Sequence, residues 1–350
     1  MKKILALLLV FVLVLSLLAA CGGNGGGGAT TEPPDREPDV VDNRNHTIIF
    51  GNAGWDSNSL HNAVAGFIAE TAFGYAGWDE VLAASAVIHE ALLRGDIDIH
   101  MENWVENMEP YLPDLEAGRF QELGINFNDN AQGFYVPRFV IEGDAARGIE
   151  PMAPTLRSVQ DLVRYPHVFP DRENPGRGRI YGAIPGWMID IIMHNKFIYN
   201  GLDAYFEYFR PGSEAAMNAV FSTAYERGEA LVGYFWEPTW LMGLYDFVLL
   251  EDHPFTNEDD FQAGMVEAPP VTVTIGASNQ FVDAHPEFSD FLRNYRTTSA
   301  QISGALAFMQ ETGADIGEAA IWFLQTHGYL LDEWLTPDQA QLVRDALETR

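Results

Sequence analysis

The 350-residue sequence is poor in cysteine and in basic side chains. Cys21 is its single cysteine, so no internal disulfide can form and the fold must be held by its apolar core. Lysine and arginine total 20 against 50 aspartates and glutamates, which gives a formal net charge of −30. Because phosphate contacts need clustered Lys and Arg, this balance excludes nucleic-acid binding. The acidity itself is typical of a solvated surface.

The sequence also lacks the motifs of common enzyme classes. It has no Gly-x-Ser-x-Gly elbow, no His-Glu-x-x-His helix, no P-loop and no glycine-rich dinucleotide turn. The nine histidines are scattered without the spacing of metal ligands. Paired acids such as Asp96 and Asp98 could do acid–base work, but a role as caps or hinge contacts is simpler. We therefore expect no enzyme, no cofactor and no bound metal.

What the chain does have begins with an export leader. Two lysines precede the apolar run Ile4–Leu18, and Leu-Ala-Ala stands directly before Cys21. Residues 1–20 are therefore predicted to be a signal peptide. The Leu-Ala-Ala-Cys segment resembles the lipobox of bacterial lipoproteins, which implies that Cys21 is lipidated. The Gly-rich, polar stretch 21–45 is then a flexible linker, and we expect the protein outside the cell, anchored to the outer face of the cytoplasmic membrane.

Strand-like and helix-like segments alternate in the remaining body. Thr47–Asn52 is predicted to be a buried strand, and Leu60, Val64 and Ile68 recur after it at helical spacing. This order, repeated along the chain, predicts an α/β fold with mainly parallel sheets. A body of roughly 305 residues exceeds one simple core and indicates two lobes.

The predicted lobes interleave along the sequence. Residues 46–136 form the first part of lobe I, residues 137–240 form lobe II, and residues 241–350 return to lobe I and add C-terminal helices. Gly133–Ile141 is predicted to be an extended segment that crosses between the lobes. Tyr245–Leu250 is predicted to be a strand that returns to lobe I.

Two distant segments follow the same plan. In the first, a helical pattern stops at an Arg-Gly pair ending at Gly95, and a short apolar run leads to Trp104. In the second, the pattern stops at Gly228 and leads to Trp236. Glycine suits the left-handed position that closes a helix, and ligands of open α/β sheets bind beyond the carboxyl ends of strands. The repeated plan predicts that each lobe offers one indole to a shared cleft.

Several aromatic side chains stand at predicted strand ends, helix starts or the lobe crossing. They are Trp55, Trp104, Trp187, Trp236 and Tyr135. A quaternary ammonium group has no N–H to donate, so a protein holds it through the negative faces of rings, each worth about 0.5–2 kcal/mol. This set predicts an aromatic cage for a methylated cation.

The same segments resemble the OpuAC-type substrate-binding lipoproteins of ABC importers for glycine betaine, proline betaine, carnitine or choline. The resemblance rests on Gly-Asp-Ile-Asp followed by Trp104, and on Gly-Tyr-Phe-Trp-Glu-Pro-Thr-Trp, which ends at Trp240. It implies the two-lobed type II periplasmic-binding-protein fold with a hinge between the lobes. It also implies a monomeric binding protein that delivers its ligand to a membrane permease served by a separate ATPase subunit.

The resemblance also ranks the cage positions. Carried over by motif, Trp104 and Trp236 come first and Trp187 is next. Trp55 and Tyr135 match aromatic positions of choline-binding relatives.

The other end of the ligand is less defined by the sequence. Relatives that hold a betaine carboxylate often have a histidine where this chain has Thr239, whose hydroxyl could meet a carboxylate or an alcohol. The backbone N–H groups from Trp55 to Ser57 could bind an anion, and Asp56 could accept from the hydroxyl of choline. The choice stays open, with glycine betaine favoured over choline. The alternative is a sugar-binding lipoprotein of another ABC importer, since saccharides also stack on tryptophan and Asn52, Asn58 and Asn103 could bind their hydroxyls.

Overall fold

The computed structural model of the protein describes residues 42–269 and 271–350. The predicted signal peptide (1–20), the predicted lipidation site Cys21 and most of the predicted linker (21–45) lie outside this part of the chain. Among the described residues, no helix is both long enough and apolar enough to cross a bilayer.

The last residues of the predicted linker already belong to the folded body. Asn43–Asn45 form a 3-10 helix, and the side chain of Asp42 caps it by accepting from the backbone N–H of Arg44. The side-chain amide of Asn43 donates to the carbonyl oxygen of Phe73 at 3.1 Å. The body therefore begins slightly before its first strand.

Strands and helices alternate through most of the described chain. The strands are β1 (Thr47–Asn52), β2 (Gly77–Leu82), β3 (Ile99–Trp104), β4 (Gln121–Phe127), β5 (Gln132–Pro137), β6 (Gly178–Tyr181), β7 (Phe206–Phe209), β8 (Gly233–Trp236), β9 (Phe247–Leu249) and β10 (Val273–Ala277). The α-helices are α1 (Asp56–Ala72), α2 (Ser85–Arg94), α3 (Tyr111–Glu116), α4 (Arg138–Glu142), α5 (Met188–Tyr199), α6 (Glu214–Arg227), α7 (Trp240–Leu244), α8 (Glu258–Gln262), α9 (Asn279–Ala284), α10 (Pro286–Asn294), α11 (Ser299–Thr312), α12 (Ile316–Thr326), α13 (Leu330–Trp334) and α14 (Pro337–Leu347).

The strands form two five-stranded sheets. The first sheet has the order β2-β1-β3-β10-β4, and the second has the order β7-β6-β8-β5-β9. In each sheet four strands run in one direction, while β10 in the first and β5 in the second run against them. Each reversed strand pairs on both sides, so the sheets are mixed rather than mainly parallel as the alternation had predicted.

The reversed direction of β5 follows from the path of the chain. β4 ends at Phe127 and β5 begins at Gln132, so only four residues separate a strand of the first sheet from a strand of the second. A link this short leaves β5 starting beside the edge where β4 stops, and β5 must then run away from that edge. The predicted crossing segment Gly133–Ile141 is therefore wrong, because it comprises most of β5 and most of α4. The crossing lies at residues 128–131.

The strand predicted at Tyr245–Leu250 exists, but its predicted return to lobe I is wrong. β9 pairs antiparallel with β5 in the second sheet. Ten residues, which include α7, lie between the end of β8 and the start of β9, and the chain stays in the second sheet over this stretch. The second sheet thus takes its strands from residues 132–249, whereas lobe II was predicted over 137–240. The chain rejoins the first sheet at β10.

The two segments that end on tryptophan have the predicted local structure. Helices α2 and α6 are closed by Gly95 (φ 73°) and Gly228 (φ 66°), both left-handed. The strands that follow, β3 and β8, end at Trp104 and Trp236. This prediction is confirmed because a left-handed glycine after Arg is a local signal that needs no tertiary contact.

The C-terminal helices brace the first long helix. α1 packs against α11, α12 and α14, and α11 also contacts α7. The ring of Trp334 stacks on Tyr295 with centroids 4.4 Å apart, inside this apolar layer. These helices therefore pack against α1, the helix that Trp55 precedes.

Candidate functional site

Four indoles from both sheets meet in one cavity. Trp55 precedes α1 and Trp187 precedes α5, each as the N-cap residue, while Trp104 and Trp236 are the last residues of β3 and β8. All four are at most 8 % exposed, and all four line the same cavity. The structure therefore brings together tryptophans that lie up to 181 residues apart in the sequence.

The ring of Trp187 stands at the centre of this group. It meets Trp55 edge to face, with centroids 5.3 Å apart and planes at 89°. It meets Trp236 in the same manner, at 5.0 Å and 87°. These are contact distances for aromatic pairs. The cavity volume is accordingly small, about 40 Å³.

The rest of the cavity wall is aromatic or apolar with a few polar groups. Tyr234 adds a phenol ring beside Trp236. Met108, Met188 and Ile189 are the aliphatic members, and Ser85, His100, Glu102 and Asn107 are the polar members. Among the residues that the structure describes, the wall includes one carboxylate and neither lysine nor arginine.

Glu102 is the hydrogen-bond acceptor that organises two of the indoles. Its side chain is 0 % exposed. Its Oε2 accepts from the indole N–H groups of Trp55 and of Trp104, the latter at 3.3 Å, and from the hydroxyl of Ser57 at 3.3 Å. Its Oε1 has no hydrogen-bond partner among residues 42–269 and 271–350 and lies 3.4 Å from Nε2 of His61. One buried carboxylate thus orients one indole from a helix start and another from a strand end.

Burial changes the titration of this carboxyl and of its neighbour. Burial raises the pKa of Glu102 to about 7, against the opposing effect of the hydrogen bonds from Ser57, Trp55 and Trp104. Burial lowers the pKa of His61 to about 3, so His61 is neutral and supplies no positive charge. Its Nδ1 is instead hydrogen-bonded to the Tyr295 hydroxyl at 2.8 Å.

A second carboxylate approaches from the other sheet. Glu214, in the first turn of α6, accepts from the backbone N–H of Asp56 at 2.8 Å. Burial raises the pKa of Glu214 well above its usual value, and the charges of Asp56 and Glu102 raise it further. Burial likewise raises the pKa of Asp56. The indole N–H of Trp187 also crosses between the sheets and donates to the carbonyl of Ala53 at 3.1 Å.

Four of the predicted ligand-contacting residues do not line the cavity. Asp56 and Ser57 lie behind it, at the start of α1, where Ser57 reaches the cavity only through Glu102. Thr239 is the N-cap of α7, and its Oγ1 accepts from the N–H of Met242 at 3.4 Å. The fourth is Tyr135.

Strand register explains the position of Tyr135. In the β5–β8 ladder Tyr135 is opposite Gly233, whereas Phe134 is opposite Tyr234. Neighbouring residues of a strand point to opposite faces, so Tyr135 and Tyr234 lie on different faces of the sheet. The hydroxyl of Tyr135 donates to Glu237 at 3.5 Å, and Tyr234 is the phenol at the cavity.

Sequence reasoning missed Glu102 and Tyr234, although a signal was present. Glu102 is two residues before Trp104 on β3, and Tyr234 is two residues before Trp236 on β8. Side chains at i and i+2 of a strand share a face. Once Trp104 and Trp236 were chosen, this period could have added both residues.

The asparagines considered for sugar hydroxyls are engaged elsewhere. The side chain of Asn52 contacts Ser59 and Glu80. That of Asn58 accepts from the N–H of Ala53, and that of Asn103 donates to backbone carbonyls. None of the three lines the cavity.

The sequence matches one family across most of its length. The family described as the substrate binding domain of ABC-type glycine betaine transport system, OpuAC, matches residues 46–326. No curated protein sequence matches the chain.

Solved structures of low sequence identity share the fold. An ABC-transporter choline binding protein in complex with choline has a TM-score of 0.66 at 20 % identity, covering 86 % of this chain and 98 % of that one. The glycine betaine, L-proline-binding protein ProX from Borrelia burgdorferi has a TM-score of 0.64 at 18 % identity, covering 85 % and 100 %. Lactococcal OpuAC, closed on glycine betaine, has a TM-score of 0.64 at 17 % identity, covering 83 % and 99 %. The predicted two-lobed α/β architecture is confirmed.

Proposed function

The chain belongs to the OpuAC family, the substrate-binding domains of ABC-type glycine betaine transport systems, and from this we propose that its tryptophan cavity captures the quaternary ammonium head of a small solute. Glycine betaine and choline, which are bound in the structures of similar fold, both carry a trimethylammonium group. The family assignment and the cavity chemistry support the same class of ligand.

The observation that carries the proposal is the convergence of four indoles from two sheets on one cavity. A permanently methylated nitrogen cannot donate a conventional hydrogen bond, and ring faces are the groups that attract it. At about 0.5–2 kcal/mol per ring, four rings contribute about 2–8 kcal/mol, and the upper end of this range equals the free energy of micromolar binding. The cage residues of the proposal are Trp104, Trp236, Trp187 and Trp55, with Tyr234 added and Tyr135 outside the wall.

Entry of the ligand requires the rings to separate. Trp187 touches both Trp55 and Trp236, so a methylated ammonium group fits among them only after one ring moves away. Trp55 and Trp104 belong to elements of the first sheet, and Trp187 and Trp236 to elements of the second. A hinge motion that moves the sheets apart opens the cage, and the reverse motion closes it on the ligand.

We propose the steps after ligand capture from the role of the family in import. The loaded protein docks on a membrane permease, and ATP hydrolysis by a separate subunit drives release and import. The protein acts outside the cell as a monomer, held to the membrane through lipidated Cys21, and it catalyses no reaction of its own.

Isothermal titration of the purified chain tests the proposal. The panel is glycine betaine, choline, proline betaine and carnitine, with glucose and maltose as controls. We expect saturable heat with at least one quaternary ammonium and none with either sugar. Absence of binding to all four ammonium compounds, or binding of a sugar alone, would refute the proposed function.

A further inference from the structure

We propose that Glu102 makes this cavity selective for quaternary ammonium ligands with a net positive charge, such as the alcohol choline, over zwitterions such as glycine betaine. The inference rests on the proposed function and narrows its ligand class. It reverses the preference for betaine that the sequence suggested, and it assigns Glu102 the role of a specificity-determining residue.

The carboxylate of Glu102 lies at the cavity, next to two of the cage indoles. Glu102 forms part of the cavity wall and is fully buried. Through Oε2 it holds the indole N–H groups of Trp55 and Trp104, so its charge sits directly behind two rings of the cage. A cation between those rings lies within a few ångströms of a carboxylate that is shielded from water, where charge interactions are strong.

The described side chains around the cavity supply no positive charge to pair with Glu102. No lysine or arginine lines the cavity in the described part of the chain. His61, the basic side chain nearest to Glu102, is kept neutral by burial, and the same cause lowers the pKa of His100 to about 4. The other titratable groups around Glu102 are Asp56 on α1, Glu214 on α6 and Tyr295 after α10, which carry no positive charge. A cationic ligand would bring a positive charge next to Glu102, where the neighbouring side chains supply none.

Most hydrogen-bond donors of the cavity wall already donate to other protein groups. A betaine carboxylate would need several donors, but most side-chain donors of the wall already have an acceptor. The hydroxyl of Ser85 donates to the carbonyl of Gly186 at 3.2 Å. The phenol of Tyr234 and the amide of Asn107 both donate to Gln132, at 3.1 and 3.3 Å. An alcohol needs only one acceptor, whereas a carboxylate here would meet acids and occupied donors.

The test compares three ligands that share the same methylated head. Choline adds a hydroxyl, glycine betaine adds a carboxylate, and tetramethylammonium adds neither. Dissociation constants are measured by titration calorimetry at pH 5.5, 7 and 8.5 for the full chain and for Glu102→Gln. Glu106→Gln is the matched control, because Glu106 is half-buried on the same segment, accepts from the N–H of Thr272 and does not line the cavity.

At pH 8.5 we expect choline and tetramethylammonium to bind at least about ten-fold more tightly than glycine betaine. The affinity for both cations should weaken as the pH falls through 7, because protonation removes the charge of Glu102. Glu102→Gln should bring the ratio of choline to betaine affinity toward one and flatten the pH profile. Glu106→Gln should keep both the ratio and the profile.

Two outcomes would overturn the inference. One is glycine betaine binding as tightly as choline to the unaltered chain at pH 8.5, and the other is a folded Glu102→Gln variant that keeps the original ratio. If that variant does not fold, the ligand ratio and pH series of the unaltered chain decide alone. Failure of all three ligands, and of proline betaine and carnitine as well, would instead refute the proposed function, so the two failures are distinguishable.

Discussion

The carboxylate of Glu214 accepts a hydrogen bond of 2.8 Å from the backbone N–H of Asp56, the first residue of α1. Trp55, the N-cap residue of α1, offers no side-chain cap of its own. Helix starts leave backbone N–H groups that need acceptors. α6, which lies between β7 and β8 of the second sheet, therefore supplies the cap for α1, which follows β1 of the first sheet, and it does so beside the cavity.

The hydrogen bond from Asp56 to Glu214 joins elements of the two sheets, so it should stabilise the arrangement in which the sheets close on the ligand. We expect Glu214→Ala to weaken ligand binding by roughly five- to ten-fold, since losing a cap costs about 1 kcal/mol. Small-angle scattering should show a larger radius of gyration for the variant without ligand. Glu226→Ala, on the exposed side of the same helix, is the control and should change neither quantity. Unchanged affinity in Glu214→Ala would show that the cap plays no part in closure.

Glu102 should make stability depend on pH. Its pKa in the folded protein is raised to about 7 from 4.5, so the protonated form is favoured by folding. The contribution to stability is present below about pH 4.5 and is lost as the pH rises through 7, on the order of 3 kcal/mol in all. Gln resembles the protonated acid. Relative to the unaltered chain, Glu102→Gln should gain unfolding free energy between pH 5 and pH 8.5.

Urea unfolding without ligand, followed by tryptophan fluorescence at several pH values, measures this gain. Taking the difference between two proteins cancels the histidines whose pKa is lowered by burial away from Glu102, such as His285. A difference that stays constant with pH would contradict the expectation.

The cage can be tested by replacing two of its tryptophans with a smaller apolar residue. Trp104→Leu and Trp236→Leu keep an apolar side chain but remove the ring face, so each should weaken choline or betaine binding about ten-fold. Trp322 stacks on Phe308 at 5.0 Å among the C-terminal helices, far along the chain from the cavity wall. Trp322→Leu should leave the dissociation constant unchanged. Equal effects in all three variants would point to general destabilisation instead of cage loss.

Removing the hydroxyl groups of two buried tyrosines should change the stability of the protein by different amounts. Tyr295→Phe leaves Nδ1 of His61 without its partner at 2.8 Å, which should cost about 1–3 kcal/mol. The buried hydroxyl of Tyr75 has no hydrogen-bond partner in the described part of the chain. Tyr75→Phe should therefore be neutral or stabilising. Thermal unfolding of both variants gives the answer, and a larger loss in Tyr75→Phe would be evidence against this account.

The residues that sequence reasoning placed correctly have local signals. Gly95 and Gly228 end their helices because glycine tolerates the left-handed conformation, and apolar runs carry the chain from there to Trp104 and Trp236. The residues it misplaced depend on pairing. Tyr135 was chosen as an aromatic near the lobe crossing, but its register opposite Gly233 turns it away from the cavity face.

By itself, the sequence determined the α/β class and the ends of α2, α6, β3 and β8, because these follow from backbone preferences and from periods of two and 3.6 residues along the chain. It also supplied the tryptophans that line the cavity. Only the tertiary structure decided that Glu102 holds two indoles, that Trp187 packs between two others and that Glu214 caps a helix of the opposite sheet. Those contacts join residues from separate elements, and strand register together with the path of the chain between the sheets sets which atoms meet.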